Sequence, residues 1–211
     1  MFTRTLARRA AMAGATVTAA LVLAGCGGDH STSGADHDMP GVSGTGTPAA
    51  GASASFGDAD VMFAQMMIPH HRQAVAMAEL AGSRAADPEL KKLAGQIKAA
   101  QAPEIATMTG WLAAWGRPVP SASAGHGMPG MDHGMPGMMS DAEMDKLGAA
   151  SGTDFDRQFL TMMIAHHEGA ITMAKDELAR GENPDAKVLA EQIVTAQQGE
   201  IDTMKKMLDR L

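Results

Sequence analysis

The sequence repeats itself. Met66-Met67-Ile68-Pro69-His70-His71 returns ninety-six residues later as Met162-Met163-Ile164-Ala165-His166-His167. The register holds without a gap. Phe63 matches Phe159, Ala74 matches Ala170, Met77 matches Met173 and Pro88 matches Pro184. Gln101, Glu104, Met108 and Leu112 match Gln197, Glu200, Met204 and Leu208. This is an internal duplication of roughly fifty-five residues, long enough for one supersecondary unit per copy. A unit of that size cannot bury its apolar face alone, so the two copies must pack on each other.

Each copy reads as a helical hairpin. Phe63, Met67, His70, Ala74, Met77 and Ala81 recur at three- and four-residue steps, which predicts a helix over Asp58 to Gly82 with Asp58 as its N-cap. Asp87-Pro88 opens a second helix, with Pro at the first helical position, and this helix ends at Gly116. Its stripe is Leu90, Leu93, Ile97, Gln101, Glu104, Met108 and Trp111. A short helix fits Asp141 to Ala150. Thr153 or Asp154 starts the next long helix, with Phe159, Met163, His166, Ala170 and Met173 as its stripe. Asn183-Pro184 opens the last, through Leu189, Ile193, Gln197, Glu200, Met204 and Leu208. Two such hairpins related by a pseudo-twofold axis make an all-α four-helix bundle. The long connection between helices two and three favours a ferritin-like crossover over a simple up-and-down order. The expected domain is 58–211, with repeats at 58–116 and 153–211 around a loop at 117–140.

The start of the chain reads as an export signal. Arg4, Arg8 and Arg9 precede an apolar run from Ala10 to Leu23, too short to span a bilayer comfortably. Leu23-Ala24-Gly25-Cys26 resembles the lipobox of bacterial lipoproteins, which implies cleavage after residue 25 and a lipid on Cys26. The alternative is an ordinary signal peptide with a chance Cys. Residues 27–57 are mostly Gly, Ser, Thr, Ala and Asp, a flexible tether reaching on the order of 30 Å. The expected location is the extracytoplasmic face of the cell membrane. Without the three leader arginines, 14 basic residues stand against 24 acidic ones, a net charge of −10. Such a surface repels nucleic acid. Cys26 is the single cysteine, so disulfides and thiolate metal clusters are excluded.

The chemistry lies in histidine, methionine and two carboxylates. At 100° per residue, His70 and His166 fall in the middle of the apolar stripes, and His71 and His167 at their edges. Gln101 and Glu104, and their copies Gln197 and Glu200, lie in the facing stripes. A buried carboxylate needs a partner: a proton, a histidine or a metal. Met66, Met67, Met77 and Met108 in one copy, and Met162, Met163, Met173 and Met204 in the other, flank these groups at helical spacing. The bland reading is a structural His–Glu hydrogen bond in a Met-filled core. The functional reading is a site for copper, because thioether sulfur suits Cu(I) and Ag(I), and imidazole suits both copper oxidation states. Pro69, Pro103 and Gly199 directly precede His70, Glu104 and Glu200, which predicts local helix distortion that widens the interior there. Ala165 breaks this pattern. A second candidate is the loop carrying His126, Met128, Met131, His133, Met135, Met138 and Met139, a flexible multidentate chain for weak copper capture or else an inert linker.

The paired blocks Met-Met-Ile-x-His-His…Met-Ala and Gln-x-x-Glu-Ile-x-x-Met resemble the bacterial family catalogued as domain of unknown function 305, over residues 58–211. The resemblance implies a ferritin-like bundle and an exported copper-binding protein with Met and His ligands. Its role would be sequestration of the ion or handover to a protein partner, with no catalysis. Two alternatives stand beside it. A carboxylate di-iron oxidase would want four carboxylates and Glu-x-x-His pairs, and no Glu-x-x-His occurs here. A metal-free envelope interaction module would bind no copper or silver at all.

Overall fold

The computed structural model describes residues 55–121 and 135–211. The export signal, Cys26, the tether as far as residue 54, and His126, Met128, Met131 and His133 lie outside the described residues. Five helices form: α1 (Asp58–Arg84), α2 (Pro88–Ala114), α3 (Asp141–Ala149), α4 (Gly152–Arg180) and α5 (Pro184–Leu208). None is long and apolar enough to cross a membrane.

Local chemistry sets the ends. Asp87 and Asn183 cap α2 and α5, their side chains accepting from Glu89 N–H and from Asp185 and Ala186 N–H, with Pro at the first helical position in both. Ser140 and Glu143 form a capping box on α3. Two boundaries differ from the sequence reading. The N-cap of α1 is Gly57, because the Asp60 carboxylate reaches back to take its N–H, and Asp58 is the first helical residue. Gly82 does not stop α1, which runs on to Arg84.

The strongest ties between the hairpins are two crossed carboxylates. Asp60 on α1 accepts from the N–H groups of Glu182 and Asn183, in the turn before α5. Asp156 on α4 accepts from those of Ala86 and Asp87, in the turn before α2. Every one of these residues matches its counterpart at the ninety-six-residue offset, so each copy satisfies the orphan donors of the other copy's turn. Both acids are buried.

These bonds fix the topology. The start of α1 meets the end of α4, and the end of α1 meets the start of α4, so the two helices run antiparallel side by side. The order is up-down-down-up, and residues 115–151 must climb the full length of the bundle. The bundle is therefore ferritin-like, with one crossover. The connection begins beside the α1 start, where Trp115 stacks on Phe56 at 4.7 Å. It passes mid-bundle, where Gln73 bonds both the N–H and the C=O of Met139. It ends where Arg84 reaches the Ala150 carbonyl.

The apolar core comes in two parts. One holds Ala74, Met77, Leu90, Ile97, Phe155, Phe159, Met163, Ile201 and Met204. The other holds Phe63, Met67, Ile68, Met108, Leu112, Ala170, Met173 and Ile193. At the level between them each long helix contributes polar residues: His70 and His71, Gln101 and Glu104, His166 and His167, Gln197 and Glu200.

Candidate metal centre

All four histidines are fully buried. Two of them make the bond that the bland reading expects. His71 donates Nε2–H to Glu104 at 2.7 Å, and His167 donates to Glu200 at 2.6 Å. The carboxylates are not interior groups, since each side chain stays about one-fifth exposed at 21% and 20%. They hold the imidazoles from the rim of the bundle, which corrects the expectation of buried acids. A carboxylate on one ring nitrogen fixes the ring and leaves Nδ1 as the inward atom, the arrangement that commonly orients a metal-binding imidazole.

The other two histidines meet face to face. The rings of His70 and His166 lie 3.7 Å apart between centroids, tilted by 38°. His70 donates Nε2–H to the Pro136 carbonyl at 3.0 Å. Neither nitrogen of His166 makes a hydrogen bond of good geometry, its nearest acceptor being the His70 backbone carbonyl, and Nδ1 of His70, His71 and His167 is also unpartnered. Gln101 is unpartnered at both side-chain polar atoms, and Gln197 at its oxygen. Burial, with the charges of His71 and His167, holds the His70 ring down to about 3, against a weaker upward pull from Pro136. Burial acts first on His166 too and pushes it well below its ordinary value. Both rings are neutral at physiological pH, the form that binds metal without first losing a proton.

Eight unpartnered polar atoms in one layer are costly. A buried unsatisfied group costs about 1–3 kcal/mol. The sum is comparable with the whole folding free energy of a domain, about 5–15 kcal/mol.

The layer is not a ready-made cage. Among the described residues no three His, Asp or Glu side chains are gathered to hold an ion. The helices run unbroken through Pro69 and Pro103, and the touching rings of His70 and His166 leave no widened space between them, contrary to expectation. A mid-helix proline loses one backbone bond, and the neighbouring turns carry the helix across it. The side chains that could add donors beside the ring pair are methionines. Met67 and Met163 lie one turn before His70 and His166 and are fully buried. Met77, Met108 and Met204 are core side chains, Met173 is nearly so, and Met66 and Met162 are half-exposed.

The connection lies against the ring pair. Gly137 adopts φ +77°, and a Cβ there would sit 2.5 Å from the Ala165 carbonyl. Gly169 has no φ requirement, but a Cβ on it would run into the Pro136 carbonyl. These two glycines let the backbone of 136–137 lie on α4 beside His166. Met135 and Met138 are half-buried in this segment and Met139 is buried.

The profile of the family described as domain of unknown function DUF305 matches residues 60–208. The chain belongs to the DUF305 family. Its DUF305 fold is similar to the crystal structure of a putative secreted DUF305 protein from Streptomyces coelicolor, at 39% identity and a TM-score of 0.65, over 72% of this chain and 93% of that one. It is also similar to CopM in its Cu(II)-bound form, at 40% identity and a TM-score of 0.62, over 72% of this chain and 96% of CopM. CopM structures with Cu(I) and with Ag bound match with TM-scores of 0.59 and 0.58. An uncharacterized protein of Acanthamoeba polyphaga mimivirus is 46% identical over 54 residues, and the match covers 36% of that protein's length.

Sequence reasoning missed two kinds of residue. Asp60 and Asp156 are the inter-hairpin ties, and their signal was an acid three residues before Phe63 and Phe159 on the apolar stripe. Glu177 is the other. It lies four residues beyond Met173, where the stripe of the first copy has Ala81, and it is only 2% exposed.

Proposed function

We propose that this DUF305 protein binds copper outside the cytoplasm, for sequestration or handover, and is held at the membrane by a lipid on Cys26. The observation that carries the reading is the facing pair His70 and His166, neutral, fully buried, and unpartnered at three of four ring nitrogens. An ion entering there would find imidazole nitrogen, with the thioethers of Met67 and Met163 one turn away. That donor set favours Cu(I) and Ag(I) over harder ions. Glu104 and Glu200 would act through His71 and His167, holding their rings, and not as ligands. The likeness to CopM, whose structures hold Cu(I), Cu(II) and Ag, supports the same class of ion. The loop sulfurs and imidazoles from His126 to Met135 would serve as the exchangeable outer donors.

A di-iron oxidase is disfavoured by the same layer. Its two carboxylates are each engaged by a histidine at the bundle rim. The test is copper analysis of the chain with residues 122–134 replaced by a Gly/Ser linker of equal length. Copper retained at one or more equivalents supports a bundle site. Loss of all copper moves the site to the loop and leaves the buried histidines as structural groups.

A further inference from the structure

Between α1 and α4 lies a groove of about 90 Å³, whose lining includes Met62, Met66, Met173, Asp176, Glu177 and Arg180. Met62 and Met66 stand one turn apart on α1, and Met62 is 46% exposed, so the groove opens to solvent. Its buried end is Glu177. Both carboxyl oxygens of Glu177 are buried without a hydrogen-bond donor. The protonated Glu177 carboxyl lies within hydrogen-bonding reach of the Asp60 carboxylate, which also accepts from the N–H groups of Gly57, Glu182 and Asn183. Nearby Arg180 is paired to Asp176 at 3.0 Å on the rim. Glu177 holds a proton at neutral pH, and among the described residues no lysine or arginine forms an ion pair with it, so a cation entering the groove would take the place of that proton.

The other hairpin has no such acid at the matching position. The counterparts of Glu177 and Gly181 are Ala81 and Ala85, both buried. In the second copy the carboxyl lies over Gly181, where a Cβ would run into it and into the Glu177 backbone carbonyl. Acid and glycine go together: the glycine makes the room that the acid occupies. The same bundle position is an apolar alanine pair in one hairpin and a buried acid in the other. Met62 is likewise Gln158 in the second copy.

We propose that the α1–α4 groove is a binding site for a soft monovalent cation, Cu(I) or Ag(I), held by the thioethers of Met62, Met66 and Met173, with the Glu177 carboxyl releasing its proton to become the counter-charge. The identity of the ion rests on the copper reading, but the site is separate from the midplane histidines. One carboxylate balances one positive charge. Ca²⁺ and Mg²⁺ require several oxygen ligands, and Zn²⁺ takes nitrogen, thiolate or oxygen, so a set of thioethers with a single carboxylate selects against all three.

The test titrates the full chain, carrying ¹³C in its methionine methyl groups, with Ag(I). The methyl signals of Met62, Met66 and Met173 are expected to shift together and to saturate at one equivalent. Glu177→Gln should weaken that equivalent by about tenfold or more through loss of the charge. Met62→Leu, at a half-exposed position that does not support the core, should weaken it as well. Methyl signals that stay put, or a Glu177→Gln variant that binds Ag(I) as tightly as the parent, would overturn the proposal. So would equal saturation of the three methyls by Zn(II). The ring signals of His70 and His166 separate the two sites. If they respond to copper while the three methyls stay silent, the groove proposal fails alone. If the methyls respond and the rings do not, the groove stands and the midplane reading falls.

Discussion

The first hairpin and the second carry the same inward acid, Asp60 and Asp156, each taking the N–H groups of the other hairpin's turn. They carry the same His–Glu bond, 71 to 104 and 167 to 200, and the same Asx-Pro helix start. They part on the faces that α1 and α4 present to the connection and to the groove. Gln73 grips Met139 by two hydrogen bonds, whereas its counterpart Gly169 admits the Pro136 backbone by having no side chain at all. Ala81 and Ala85 face Glu177 and Gly181 across the offset, and Met62 faces Gln158. What is repeated holds the bundle together. What is not repeated receives the connection and shapes the groove.

The largest effect should come from the repeated part. Asp156→Ala leaves the N–H groups of Ala86 and Asp87 buried without an acceptor and should cost about 3 kcal/mol in denaturant unfolding. Asp60→Ala should cost a similar amount, because it removes the acceptor of the Glu182 and Asn183 N–H groups and of the Glu177 carboxyl. A small loss in either would break the claim that the crossed carboxylates join the hairpins.

The unrepeated contacts should come next. Gly169→Ala forces the Pro136 backbone off α4 and should cost about 2 kcal/mol as overpacking. Gln73→Ala removes two hydrogen bonds to Met139 and should cost about 1–2 kcal/mol. Both should loosen the His70–Pro136 bond, which hydrogen exchange at the His70 ring would read. An unchanged ring signal in both variants would contradict the docking of the connection over the histidines.

The smallest effect is a pH slope that only the second copy can produce. Burial, then the neighbouring Asp60, raises the Glu177 carboxyl from its ordinary 4.5 to about 8. Between those values the folded chain holds a proton that the unfolded chain has released, so stability falls as pH rises toward 8. His70 acts in the opposite sense and lower down. Its folded value of about 3 lies below the ordinary 6.5, so its contribution is complete above pH 6.5 and is lost as pH falls toward 3. The window from pH 6.5 to 8 therefore isolates Glu177. Stability there should decline in the parent and stay flat in Glu177→Gln. Parallel slopes would show that Glu177 is not the titrating group.

The fold was readable because the information is periodic. Met67, His70, Ala74 and Met77 recur at helical steps and are all buried, and the duplication turns one hairpin into two. The Asp87-Pro88 and Asn183-Pro184 starts were local signals with local effects. The crossed carboxylates were not readable, because the distance from Asp60 to Asn183 along the chain hides a bond that only the packed bundle creates. The site was legible by residue type and not by geometry. Helical phase placed His70 and His166 inward, but it could not show that their rings would touch or that Glu104 and Glu200 would stay at the rim. Glu177 was visible as an acid continuing the third stripe. Its meaning needed the comparison with Ala81.

The most direct measurement is paired: copper bound per chain and unfolding free energy for His166→Leu. Leucine fills the ring's place and removes two buried, unpartnered nitrogens. If the midplane exists to hold copper, the variant gains about 1–2 kcal/mol of stability and loses copper from the bundle. A variant that is destabilised and binds copper as the parent does would make His166 a structural residue and contradict the account.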